Sequence, residues 1–134
     1  MWSPRALSIL RIVTGFLFLL HGSQKLFGVP AAEGVVVGPL SSLIGVAGVL
    51  ELVGGLLLLL GLFTRPGAFV LSGPMAVAYF TAHAPQGLWP VSNGGELAVL
   101  YCFVFLFMAA AGGGPWSLDR VWRNDESARG RGPG

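Results

Sequence analysis

Four stretches of this chain are apolar over the length, or nearly the length, that a bilayer demands. A membrane helix needs roughly 20 mainly apolar residues, because each adds about 1.5 Å across a hydrocarbon core of about 30 Å. The first stretch runs from about Leu7 to Phe27 and is closed by Gly28, Val29 and Pro30. The second runs from about Leu43 to Leu62 and contains the leucine run Leu56 to Leu60; Thr64, Arg65 and Pro66 form a turn after it. The third runs from about Gly67 to His83 and carries Pro74, which lacks an N–H and favours a kink. Ala84, Pro85, Gln86 and Gly87 close it, and the fourth runs from about Gly95 to Ala111. Gly112, Gly113, Gly114 and Pro115 stop the fourth, since neither glycine runs nor proline prolong a helix.

The stretches are too long and too unalternating for barrel strands. A soluble bundle would need charged outer faces, which these segments lack. Only 10% of the 134 residues are charged, against 54% hydrophobic, where a soluble domain typically carries about 25% charged residues. The expected fold class is therefore an all-α integral membrane four-helix bundle over residues 1–120, followed by a disordered cytoplasmic tail over 121–134. The first stretch is expected to stay in the protein, because Gly28-Val29-Pro30 is a poor signal-cleavage context and the apolar run exceeds a signal core. The net charge of +2 and the absence of a basic cluster in a folded segment exclude nucleic acid as a partner. The single cysteine, Cys102, provides neither an internal disulfide nor a cysteine metal site.

Orientation follows from the arginines. Arg5 precedes the first span, Arg65 lies between the second and third, and Arg120, Arg123, Arg129 and Arg131 follow the fourth. In a four-span chain these regions share one side, while the loops around Glu33 and Trp89 contain no Lys or Arg. The positive-inside rule puts both termini in the cytoplasm of a multi-pass protein of the bacterial inner membrane. Trp89 and Trp116, near span ends, suit interfacial anchors.

Ionisable groups inside a membrane cost several kcal/mol if isolated, so they face the bundle interior and seek partners. Here they are Arg11, His21, Lys25, Glu51, His83 and Glu96. Arg11, Thr14, Phe18, His21 and Lys25 recur at three- or four-residue spacing and share one stripe of the first helix. The four-span topology puts His21, Lys25, Glu51, His83 and Glu96 in the same outer half of the bundle. Gln24, Tyr79 and Asn93 add uncharged polar groups there, and Lys25 with Glu51 or Glu96 makes a neutral pair. Such a set suits a polar pocket for a small molecule, a quinone head group or proton movement. It equally suits polar glue between helices. Arg11 alone lies in the inner half, where Asp119 is its candidate counterion. No His-x-x-x-His or Glu-x-x-His pair occurs, so no metal is expected. Ala68, Ser72 and Ala76 in the third span, and Gly45, Gly48, Gly54 and Gly55 in the second, mark close helix packing.

These same residues carry a resemblance. Leu10-Arg11-Ile12-Val13-Thr14-Gly15-Phe16 leads to Leu20-His21-Gly22-Ser23-Gln24-Lys25-Leu26, then Gly48-Val49-Leu50-Glu51-Leu52-Val53-Gly54-Gly55 and Leu60-Gly61-Leu62-Phe63-Thr64-Arg65. Phe80-Thr81-Ala82-His83, Asn93-Gly94-Gly95-Glu96-Leu97-Ala98 and Ser117-Leu118-Asp119-Arg120 complete the order. Over about Arg5 to Arg120 the chain resembles the DoxX family of small bacterial membrane proteins. The resemblance implies four membrane helices, an association with membrane oxidoreductase systems, and motif positions at Arg11, His21, Lys25, Glu51, Arg65, His83, Glu96 and Asp119. One branch of the family is similar to a subunit of thiosulfate:quinone oxidoreductase; another is linked with superoxide dismutase and a sulfurtransferase. With only Cys102, mid-span, this chain has no sulfur-handling cysteine of its own.

The expected function is a membrane subunit of a redox-protective or quinone-linked oxidoreductase complex, with no covalent cofactor, a quinone as candidate ligand, and soluble or membrane oxidoreductases as partners. The competing readings are a non-catalytic scaffold that recruits soluble redox proteins through its arginine-containing tail, and a small carrier. A homo-oligomer is compatible with all of them.

Overall fold

A computed structural model describes residues 2–130 and is helical throughout its ordered elements. Helix α1 spans Ser3–Phe27, α2 Leu43–Leu60, α3 Thr64–Ala78, α4 Pro90–Asn93, α5 Glu96–Ala111 and α6 Leu118–Arg129. Six α-helices thus stand among the described residues where four are expected. The four expected segments are α1, α2, α3 with its extension, and α5. The additional elements are the single turn α4 and the tail helix α6.

Two helices, α1 and α2, are long and apolar enough to cross a membrane by themselves; α5 is apolar but shorter. Each long helix stops where the sequence requires. Gly28 and Gly61 take left-handed conformations at the ends of α1 and α2, with φ of 67° and 70°, a geometry that costs glycine little. Ser42 caps α2 by accepting from the Gly45 N–H at 3.1 Å. The third segment differs from a continuous helix to His83: α3 gives way at Tyr79 to a π-turn over Tyr79–His83 and a 3-10 turn over Ala84–Gln86. This wider turn follows Pro74, which withholds an N–H from the ladder inside α3.

The tail is the clearest departure. Instead of being disordered after residue 120, the chain is helical to Arg129; residues 131–134 of the expected tail lie outside the described residues. Low apolar content argues for disorder, but local helix chemistry prevails. Asp119 sits in the first turn, Arg129 in the last, and Asp125 precedes Arg129 by four residues, each favourable to a helix.

The bundle is built from two close pairs, α1 on α2 and α3 on α5, joined through α2 and α3. The core between them is Phe18, Leu58, Ala68, Leu71, Met75, Tyr101, Phe105 and Met108. Phe18, Tyr101 and Phe105 stack together, with Phe18 edge-on to Phe105 at 4.9 Å between ring centres. The outward faces are apolar as well: Val13, Phe16, Val53, Phe69 and Phe103 are all exposed. That is the exterior of a protein whose solvent is hydrocarbon.

The polar cavity between the two helix pairs

The stripe on α1 turns inward. Arg11, Thr14 and Phe18 are buried, and His21 and Lys25 are half-buried. Lys25 Nζ donates to Glu51 Oε1 across the α1–α2 contact at 2.5 Å, and the Glu51 side chain is only 3% exposed. The other carboxylate oxygen, Oε2, is buried and has no hydrogen-bond partner. Glu51 is one of the residues lining a cavity of about 240 Å³. His21, Lys25, Glu51, His83 and Tyr101 supply the polar side chains of that wall, with Phe18, Met75 and Leu97 among the apolar ones. A charge-assisted pair with one oxygen left over, beside two imidazoles and a phenol, can both donate to and accept from a small polar molecule.

His83 is held by the loop after it. Its Nδ1 donates to the Asn93 carbonyl at 3.2 Å; a carbonyl only accepts, so that nitrogen carries the proton. Asn93 is buried and organises the loop: its amide donates to the Gly87 carbonyl at 2.9 Å and to the Tyr79 hydroxyl at 3.3 Å, and its Oδ1 accepts from the Gly95 N–H at 2.8 Å. Tyr79 and Asn93 therefore support His83 rather than line the cavity. Gln24 donates to the Pro30 carbonyl at 3.0 Å and borders a separate cleft, under the α1–α2 loop, that shares His21 and Lys25 with the main cavity.

Glu96 stands apart from this group. It is exposed and lies with Pro90, Val91 and Leu100 outside the cavity. The buried positions of α5 are Ala98, Tyr101, Phe105 and Met108. Glu96 is two residues before Ala98, about 200° around the helix, so it faces away. Tyr101 takes its place in the wall, with its ring edge-on to His21 at 6.1 Å. The signal for Tyr101 was a lone phenol inside an otherwise apolar run.

At the other end, Arg11 and Asp119 do not pair; among the described residues the only ion pair is Lys25–Glu51. Arg11 is fully buried, and it donates instead to backbone carbonyls: Gly113 at 2.8 Å, Leu59 at 2.8 Å, Trp116 at 2.7 Å and also Leu58. These carbonyls lie where α2 ends and where the chain turns after α5, and that of Leu58 also accepts from the Gly61 N–H at 3.0 Å. Asp119 is consumed elsewhere. Its two oxygens accept from the Phe63 and Thr64 N–H groups at 2.8 and 2.9 Å, capping the start of α3. Arg65 completes this end by donating to the Ala109 carbonyl at 3.4 Å and to that of Ala110, at the close of α5.

Residues 6–84 match the family model described as DoxX. A Haemophilus influenzae protein named only as uncharacterised is 46% identical over 125 residues, covering 88% of this chain and 91% of the relative. A Mycobacterium tuberculosis protein named as an uncharacterised membrane protein is 28% identical over 132 residues, covering 87% of this chain and 81% of the relative. No solved structure gives a significant match. The chain belongs to the DoxX family of membrane proteins.

Proposed function

We propose that this protein is a membrane subunit of an oxidoreductase system and that the cavity beside Lys25 and Glu51 takes the head group of a quinone or a similar small molecule. In this reading α1, α2, α3 and α5 cross the inner membrane, both termini are cytoplasmic, and the cavity lies in the outer half. The observation that carries the proposal is the buried carboxylate of Glu51, a residue lining the cavity, which has one oxygen on Lys25 and the other without a partner. A buried polar atom without a partner is costly, and the hydroxyl of the reduced quinol would donate to it.

The residues fit such a ligand. Lys25 and the His21 ring are candidate donors to a carbonyl oxygen of the oxidised quinone, while Glu51 Oε2 would accept from a hydroxyl of the reduced quinol. The cavity suits one ring-sized group among Phe18, Met75 and Leu97. A bound quinone would supply two-electron redox chemistry. The chain's own part would be to bind and orient it, exclude water, and hold protons on His21 and His83. The electrons would come from a soluble or membrane partner.

The test is binding of a short-chain quinone analogue to purified protein. His83→Ala and Glu51→Gln should each weaken it at least tenfold. Unchanged binding in both variants overturns the reading.

A further inference from the structure

The end of the bundle remote from the cavity carries a second feature. Asp119 fixes the start of α6 to the start of α3, and the Asp119 N–H donates to the Gly61 carbonyl at 3.0 Å. One turn on, the Trp122 ring meets Phe63 edge-on at 6.3 Å. A further turn on, Glu126 still borders the same cleft as Arg65 and Pro66. Eight residues of helix advance about 12 Å, so a helix leaving along the bundle axis would have lost that contact. For its first two turns α6 therefore stays beside the start of α3.

The cleft between α6 and the start of α3 measures about 270 Å³. Phe63 and Trp122 give it apolar walls, and Arg65 and Arg123 line it with cations. Neither arginine has a carboxylate within 4.0 Å; the partners of Arg65 are neutral carbonyls. Of the two acidic residues in the wall, Asp119 spends both oxygens on backbone N–H groups, and Glu126 is solvent-exposed. The Thr64 hydroxyl, fully buried at the cleft, has no hydrogen-bond partner. Leu118, Val121 and Trp122 recur at helical spacing and are exposed, as are Phe63 and Trp116 beside them. Like the outward faces of the long helices, this set is apolar and exposed.

We propose that α6 lies in the plane of the membrane interface and that this cleft binds the phosphate of an anionic phospholipid through Arg65 and Arg123. Guanidinium groups recognise phosphate oxygens in pairs. The exposed Val121 and Trp122 seat α6 at the acyl boundary, as amphipathic interfacial helices do. The adjoining apolar patch selects a lipid over a free anion. The site is independent of the quinone cavity.

The experiment uses full-length protein in nanodiscs of phosphatidylcholine with or without phosphatidylglycerol. A variant with Trp2, Trp89 and Trp116 replaced by phenylalanine reports on Trp122 alone. Brominated lipid with a shallow bromine should quench Trp122, and aqueous acrylamide should not. Phosphatidylglycerol should be retained preferentially through detergent exchange, and Arg123→Gln should lower that preference about fivefold, the effect of one arginine near an anionic surface. Trp122 quenched by acrylamide alone would show α6 off the membrane, free for a soluble partner, and would overturn the proposal. So would lipid retention that is unselective, that Arg123→Gln leaves unchanged, or that inorganic phosphate at millimolar concentration displaces.

Discussion

Lys25 Nζ and Glu51 Oε1 lie 2.5 Å apart and tie α1 to α2 through a carboxylate that is 3% exposed. The pair is asymmetric, because Lys25 is 32% exposed and its stem reaches the cleft under the α1–α2 loop. Losing the lysine strands a buried anion; losing the glutamate frees a cation that reaches water.

Lys25→Met should therefore destabilise the protein more than Glu51→Gln, by about 3 kcal/mol against about 1 kcal/mol. The double variant Lys25→Met with Glu51→Leu should recover most of the loss, since a buried pair replaced by apolar residues is near neutral. Thermal unfolding in detergent, analysed as a double-mutant cycle, reads all three. The double variant should still fail to bind the quinone analogue. A double variant as unstable as Lys25→Met alone would mean that the pair is not the source of the loss.

Arg11 gives the second prediction. Its guanidinium gathers carbonyls from the end of α2 and from the turn after α5, three distant parts of the chain counting its own helix. Lysine offers one ammonium where a planar fork reaches carbonyls on several sides. Arg11→Lys should cost about 2 kcal/mol and Arg11→Met more than about 3 kcal/mol, each through unsatisfied buried carbonyls. Asp119→Asn should behave differently, costing about 1 kcal/mol as a weakened helix cap. Equal losses for Arg11→Met and Asp119→Asn would revive a direct ion pair between the two.

The contrast between Arg11 and Asp119 shows what the sequence made legible and what it hid. That Arg11 must be buried and satisfied followed from its place in an apolar helix. Its partners did not, because backbone carbonyls carry no letter; the pattern offered only the nearest opposite charge. Glu96 was hidden for a related reason. Its level along the bundle follows from topology, but its direction depends on the phase of α5, which nearly uniform apolarity leaves unset. Lys25 and Glu51 were legible because a stripe on α1 fixed the phase of one partner. The long helices were plain from apolar length. α6 was not, since helical charge spacing and a cap compete with a composition that reads as disorder.

The proposed topology is open to a direct measurement. In a Cys102→Ser background, single cysteines at Glu33 and Ser127 occupy exposed positions on loop and tail helix. A membrane-impermeant maleimide should label Glu33→Cys in cells with a permeable outer membrane and intact inner membrane. Ser127→Cys should label only after the inner membrane is opened. Labelling of both from one side would contradict an arrangement in which α2, α3 and α5 each cross once between the first loop and the tail helix.

The α1–α2 contact itself offers the sharpest test of the packing. A Cβ placed on Gly15 would stand 2.6 Å from the Leu59 nitrogen, and one on Gly55 would stand 2.5 Å from the Leu19 nitrogen. One on Gly22 would stand 2.8 Å from the Gly48 carbonyl oxygen. The obstructing atoms are backbone, so relief requires the helices to separate. Alanine at Gly15, Gly22 or Gly55 should therefore cost more than about 2 kcal/mol. The loss should extend to quinone-analogue binding, because the same contact sets the reach of Lys25 to Glu51. At Gly54 the atoms met belong to the Leu71 side chain, 2.6 Å away at the nearest, which can rotate; alanine there should cost about 1 kcal/mol. Gly67 on α3 has nothing within 4 Å of an added Cβ, and alanine should leave stability unchanged or raise it by up to about 1 kcal/mol through helix propensity. Unfolding temperatures in one detergent rank the five variants. An order in which Gly67→Ala is as harmful as Gly15→Ala would mean that the close approach of α1 and α2 does not hold the bundle together.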